Sequence, residues 1–108
     1  MKENISKLIC VGVICIEGHI YNLKNLIKSA SLDKNKIDLK ILISGVKKEE
    51  FEKIKSKNQS SRIVFYFSRN RLNPAEAKNF LLRKTNFSWI WFIDADCLFS
   101  KGYYENLI

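Results

Sequence analysis

The chain has 108 residues, 46% of them hydrophobic and 12% aromatic, so it can bury a core and intrinsic disorder is not expected. Its 19 Lys and Arg residues against 11 Asp and Glu residues give a net charge of +8, which favours anionic partners such as nucleotides, nucleic acid or phospholipid headgroups. The three cysteines show no CxxC spacing, which argues against a disulfide framework or a zinc knuckle and indicates a reduced, cytoplasmic setting.

The first half of the chain alternates between apolar runs and helical patterns. Residues 8–15 form a continuous apolar run with Val and Ile, typical of a strand buried on both faces. Apolar residues then recur at helical spacing: Leu23, Leu26, Ile27 and Ala30. This spacing predicts an amphipathic helix. The segment "LKILIS" predicts a second strand, and "KKEEFEKIKSK" predicts a short charged helix.

The second half continues the alternation. "RIVFYF" at residues 62–67 predicts a third strand, and "NPAE" is a helix start in which Asn73 caps, Pro74 takes the first position and Glu76 returns a bond to the cap. "WIWFI" predicts a fourth strand, and residues 103–108 begin a further helix. The order predicts an α/β fold with a mainly parallel sheet covered by helices, in a single domain over residues 1–108.

Ligands of open parallel sheets bind beyond the carboxyl ends of the strands, so the residues that follow each strand are the candidate site. These are residues 16–19, 44–46, 68–72 and 94–97. Asp94 and Asp96 follow the fourth strand, and their carboxylate oxygens are hard ligands suited to Mg²⁺ or Mn²⁺. An Asp-x-Asp pair by itself is also a common turn signal.

Two other sets of polar residues lie at predicted strand ends. His19, the only histidine, is interpreted as structural or solvated before it is interpreted as catalytic. Ser68, Arg69 and Arg71 flank the end of the third strand, where solvent exposure is the default interpretation and a phosphate contact is the alternative.

Three segments in a fixed order resemble a known family. "LKNLIKSA" matches an "LxxLLxSL" helix, "AEAKNFLL" matches an "AxxN" helix, and "WFIDAD" matches a strand ending in "hhhDxD". Together they resemble the nucleotide-binding half of the family 2 glycosyltransferases of the GT-A fold, over residues 8–108. The resemblance implies a three-layer, Rossmann-like sandwich, the N-terminal half of the GT-A architecture.

The resemblance also implies an activity and a set of site residues. Such enzymes, a class that includes hexosyltransferases, transfer a sugar from a nucleotide diphosphosugar, here UDP-linked by expectation, with Mn²⁺ or Mg²⁺ held by the DxD motif. Asp96 would ligate the metal directly, and Asp94 would contact the ribose or a metal-bound water. Ile16 and Glu17 would lie along the base. Lys78 would approach the diphosphate, although a solvated helix lysine fits it equally well.

The sequence departs from the family pattern in two places. Ser44 and Gly45 occupy the position of an aspartate that usually contacts the base, so Ser44 or the adjacent backbone is expected to take over that contact. The acceptor-binding half and its catalytic base normally follow the DxD region, so we expect an incomplete domain, a fragment or a subunit that needs a partner. The acceptor class would be a saccharide or a lipid-linked molecule, with room for peripheral association at the inner face of the membrane.

Two alternatives stay open. The first interprets the chain as a noncatalytic remnant that keeps nucleotide binding only. The second interprets it as an RNA-binding module, because "RIVFYFSRNR" places aromatic residues beside arginines. Against the RNA interpretation, the glycines of an RNP1 motif are absent and the predicted order of elements is not βαββαβ.

Overall fold

The computed structural model describes residues 9–31, 38–85 and 89–95, and within them strands and helices alternate. The strands are β1 (Ile9–Ile16), β2 (Leu39–Ser44), β3 (Ile63–Ser68) and β4 (Trp89–Asp94). The helices are α1 (Ile20–Ser31), α2 (Lys48–Lys57) and α3 (Pro74–Lys84). A short 3-10 turn, Glu17–His19, joins β1 to α1. The predicted helix at residues 103–108 lies outside the described residues.

The four strands form one sheet in the order β3-β2-β1-β4, and each neighbouring pair is parallel. This confirms the predicted α/β fold with a mainly parallel sheet. Ile14 lies opposite Asp94, and Ile16 lies opposite Ser44. Because the strands are parallel, their carboxyl ends meet at one edge of the sheet, and the residues that follow them are brought together there.

One face of the sheet packs against α1 and α2. Its fully buried apolar side chains alternate along the two central strands and meet an apolar stripe of α1: Val11, Val13, Leu23, Leu26, Ile41 and Ile43. Phe51 of α2 adds an aromatic contact, with its ring 6.5 Å from that of Phe65 and 5.0 Å from that of Phe67 between centroids.

The opposite face packs against α3. Leu42, Ala77 and Leu81 are its fully buried residues, and the ring of Tyr66 meets the ring of Phe80 edge-on at 5.7 Å. Phe65 and Phe67 therefore face one helical layer while Tyr66 faces the other. These aromatic rings of β3 belong to the two cores, which leaves no open row of rings for stacking bases.

The start of α3 has the predicted cap. The Oδ1 atom of Asn73 accepts a hydrogen bond from the backbone N–H of Glu76 at 2.8 Å, and the backbone N–H of Asn73 donates to Oε1 of Glu76 at 3.0 Å. Pro74 fills the first helical position, where a missing N–H breaks no helical hydrogen bond. The two hydrogen bonds between Asn73 and Glu76 fix where α3 begins relative to the end of β3.

We predict that Asn73→Ala lowers the free energy of unfolding by about 1 kcal/mol, because both hydrogen bonds of the cap lose their geometry. Asn79→Ala is the matched control, since Asn79 is an exposed residue within the same helix and alanine favours helix. Urea denaturation followed by circular dichroism measures both variants. Equal stability of the two variants would contradict the role of the cap.

Gly12 allows β4 to pack closely against β1. A Cβ atom at this position would lie 2.8 Å from Cδ1 of Ile90 and 3.0 Å from Cδ1 of Phe92. We predict that Gly12→Ala destabilises the chain by about 1 to 3 kcal/mol through overpacking. Gly18→Ala is the control because nothing lies within 4 Å of its added Cβ, and this variant should unfold at the wild-type urea concentration.

Cys15 is completely buried, and burial raises the pKa of its thiol to about 12 from a reference of 9.0. The thiol is neutral in the folded chain, whereas in the unfolded chain it ionises above pH 9.0. The burial of the neutral Cys15 thiol therefore contributes fully to stability below pH 9.0, and this contribution is lost as the pH rises towards 12.

We predict that raising the pH from about 8 to about 10.5 lowers the free energy of unfolding in both proteins. The decrease should be about 2 kcal/mol larger in the wild-type chain than in Cys15→Ala. Urea denaturation of both proteins at the two pH values measures this difference. Parallel losses in the two proteins would show that Cys15 ionises in the folded chain as readily as in the unfolded chain.

Candidate functional site

A cleft of about 430 Å³ opens at the edge where the strands end. One wall consists of residues from the end of β1 and the turn that follows it: Ile14, Ile16 and His19. The other wall consists of residues from the segment that leads into α3 and from its first turn: Arg71, Leu72, Asn73, Pro74 and Glu76. Asp94, the last residue of β4, also lines the cleft. The cleft therefore lies where the parallel sheet predicted a ligand.

Asp94 is exposed at the end of an otherwise apolar strand. Ile90 and Phe92 pack in the core beneath α3, and strand alternation carries Asp94 to the same side of the sheet. Among the described residues it forms no salt bridge within 4.0 Å. Its carboxylate is a hard oxygen ligand presented to the cleft, which suits a divalent cation that also binds phosphate oxygens. Asp96, the predicted direct ligand, lies outside the described residues.

The other predicted contacts are distributed around the cleft. Ile16 lines it, while Glu17 is exposed in the 3-10 turn and is not part of the lining. Ser44 is fully buried and does not reach the cleft. Lys78 is exposed on α3, and its Nζ atom lies 5.8 Å from the centroid of the Phe92 ring. The structure thus brings Ile16 and Asp94 together and leaves the other three outside the lining.

The hydroxyl of Ser44 is used inside the protein. Its Oγ atom accepts a hydrogen bond from the backbone N–H of Leu72 at 3.3 Å. Next to it, the backbone N–H of Gly45 donates to the carbonyl oxygen of Ser68 at 3.0 Å. The end of β2 is therefore covered by the segment that leads from β3 to α3, and this segment supplies a wall of the cleft.

Two nitrogen-bearing side chains, those of Arg71 and His19, line the same cleft as Asp94. Arg71 precedes the cap of α3, and His19 ends the 3-10 turn. For Arg71 the sequence favoured solvent exposure over a phosphate contact, and for His19 it favoured a structural or solvated role over a catalytic one. Their convergence depends on how the segments after β1 and β3 fold back over the sheet edge, which strand and helix periodicity does not describe.

No group of three or more His, Cys, Asp or Glu residues converges on a metal site within residues 9–31, 38–85 and 89–95. None of the helices in the same part of the chain is long and apolar enough to cross a membrane.

Comparison with known proteins agrees with this architecture. No curated protein matches the chain. The family model described as "Glycosyl transferase family 2" matches residues 20–108, from the first residue of α1 onwards. The match includes α1, α2, α3 and the strands β2, β3 and β4, in an α/β arrangement typical of the Rossmann-like half of the GT-A fold. The chain therefore belongs to glycosyl transferase family 2.

Proposed function

We propose that this chain binds a nucleotide diphosphosugar in the cleft through a divalent cation, Mn²⁺ or Mg²⁺, held by Asp94 and Asp96. The bound donor, UDP-linked by expectation, would supply a sugar for transfer to a saccharide or lipid-linked acceptor. The observation that carries the proposal is the position of Asp94, which lines a cleft at the carboxyl edge of the sheet in a family 2 chain.

The chemistry of the cleft fits such a donor. A diphosphate needs positive charge, and Mg²⁺ in proteins is usually held by one or two carboxylates together with substrate phosphates. Asp94 is exposed and lines the cleft, so it can contribute a hard oxygen to the cation. The cation, when bound, would stabilise the negative charge of the departing nucleoside diphosphate.

The residues of the chain would bind and orient the donor. Ile16 offers an apolar surface in the cleft wall against which a base can pack. Glu17 lies in the turn immediately after Ile16, at the same edge of the sheet. Lys78 stands over the ring of Phe92, on the strand that carries Asp94, and would add positive charge on that side.

A second candidate function is nucleotide binding without sugar transfer. Among the described lining residues, Asp94 and Glu76 are the carboxylates. Glu76 accepts a hydrogen bond from the backbone N–H of Asn73, so it is used in the helix cap. With Asp94 assigned to the cation, this part of the cleft holds no spare carboxylate for general base catalysis.

We predict that the chain binds UDP or GDP more tightly with Mn²⁺ than without it, and that Asp96→Ala and Asp94→Asn remove this difference. Calorimetric titration of each nucleotide, with and without Mn²⁺, measures the effect. Glu50→Gln is the matched control because Glu50 is an exposed carboxylate on α2, outside the lining of the cleft.

Equal binding with and without Mn²⁺ would overturn the cation site, and metal-independent binding of RNA in place of nucleotide would favour the RNA-binding alternative. A separate assay with labelled donor sugars distinguishes the two candidate functions. Donor hydrolysis or transfer supports the transferase, whereas metal-dependent binding without turnover supports the nucleotide-binding remnant.

A further inference from the structure

We propose that Arg71 is a metal-independent anion contact in the cleft and binds the diphosphate of the donor from the wall opposite β1. The proposal rests on the donor site proposed above and adds to it a residue outside the DxD pair. Arg71 lines the same cleft as Asp94, so a ligand in that space lies beside both residues.

The backbone on either side of Arg71 is fixed. On one side, the carbonyl oxygen of Ser68 accepts the N–H of Gly45 at 3.0 Å. On the other side, the N–H of Leu72 donates to the fully buried hydroxyl of Ser44 at 3.3 Å. A hydrogen bond to a buried hydroxyl is costly to break because the acceptor would lose its partner away from water. The end of β2 therefore anchors the segment that carries Arg71.

Close packing at Gly45 adds a second constraint. Gly45 has φ of +77°, and a Cβ atom there would lie 3.1 Å from Cβ and 3.4 Å from Cα of Arg71. The missing side chain thus lets Arg71 lie directly on the turn after β2. A guanidinium that starts from a fixed Cα loses less freedom on binding than one on a loose loop.

Two donors of the neighbouring backbone are already used. At the start of α3, the N–H groups of Asn73 and Glu76 are taken by the two side chains of the cap. Lys78 is outside the lining of the cleft. Arg71 is the arginine or lysine side chain among the described lining residues, so it is the candidate side-chain contact for an anion in this cleft.

Arg71 suits phosphate better than His19 does. A guanidinium stays protonated at any physiological pH and offers five donors in a planar fork that matches phosphate oxygens. Arg71 forms no salt bridge with any other residue that the structure describes. Its donors are thus available for charge-assisted hydrogen bonds, which are about twice as strong as neutral ones.

The test measures binding of UDP, uridine and inorganic pyrophosphate by calorimetry, in EDTA and in excess Mn²⁺. Arg71→Ala should weaken the binding of UDP and of pyrophosphate at least about tenfold in EDTA and leave the binding of uridine unchanged. Asp96→Ala should do the reverse, removing the gain from Mn²⁺ while keeping the affinity measured in EDTA. Arg71→Lys should restore part of the affinity, since it keeps the charge and loses the fork.

Arg69→Ala is the matched control, because Arg69 is an exposed arginine two residues away that does not line the cleft. It should bind all three probes like the wild type. Equal weakening by Arg69→Ala and Arg71→Ala would overturn the proposal in favour of a diffuse effect of net charge. An equal loss of uridine and UDP in Arg71→Ala would also overturn it, because the residue would then not act on phosphate.

A double-mutant cycle tests the anchoring by Ser44. Ser44→Ala should weaken pyrophosphate binding in EDTA several-fold in the wild-type background and have no effect in Arg71→Ala. An equal loss in both backgrounds would show that Ser44 acts on the whole fold and would overturn its role as a positioning residue. Circular dichroism of each variant establishes that it is folded at the temperature of the titration.

The outcomes separate this proposal from the donor site on which it rests. If UDP binds with Mn²⁺, but neither UDP nor pyrophosphate binds in EDTA, the role of Arg71 is overturned and the cation site stands. Binding of pyrophosphate in EDTA without any gain from Mn²⁺ would support Arg71 and overturn the cation site. If no probe binds in EDTA or in Mn²⁺, both the cation site and the role of Arg71 are overturned.

Discussion

The pairing of β1 with a parallel strand on each side is the constraint on which the rest of the structure depends. Because β1 lies between β2 and β4, its backbone groups bond in both directions and its apolar side chains are buried on both faces. Because neighbouring strands are parallel, each connection must return from the carboxyl end of one strand to the amino end of the next. The helices α1, α2 and α3 lie in these connections. The carboxyl ends of four strands consequently share one edge.

The alternation of side chains along these strands gives each helical layer its own core. In β3, Phe65 and Phe67 pack beneath α2 while Tyr66 packs beneath α3. In β4 the same alternation sends Ile90 and Phe92 into the core under α3 and brings Asp94 out at the cleft on that side. One backbone periodicity thus produces both the hydrophobic packing and the position of the proposed metal-binding carboxylate.

The cleft owes its second wall to polar contacts of the segment between β3 and α3. The buried hydroxyl of Ser44 and the turn at Gly45 hold this segment over the end of β2, and the cap formed by Asn73 and Glu76 sets the first turn of α3. A carboxylate at the end of β2, as in the usual family pattern, is thereby replaced by a serine that serves the architecture. In this chain Arg71, on the segment that covers the end of β2, lines the cleft.

The sequence by itself determined the order of elements, the parallel sheet, the start of α3 at Pro74 and the place of Asp94 at a strand end, because each depends on local periodicity or on a cap within four residues. The tertiary structure alone decided that Ser44 is buried against Leu72, that Glu17 and Lys78 lie outside the lining, and that Arg71 and His19 join Asp94 in one cleft. These contacts link residues far apart in the chain, through turns whose course is set by packing and by glycine conformation at Gly45. No pattern of neighbouring residues predicts contacts over such distances in the chain, so only the folded structure specifies them.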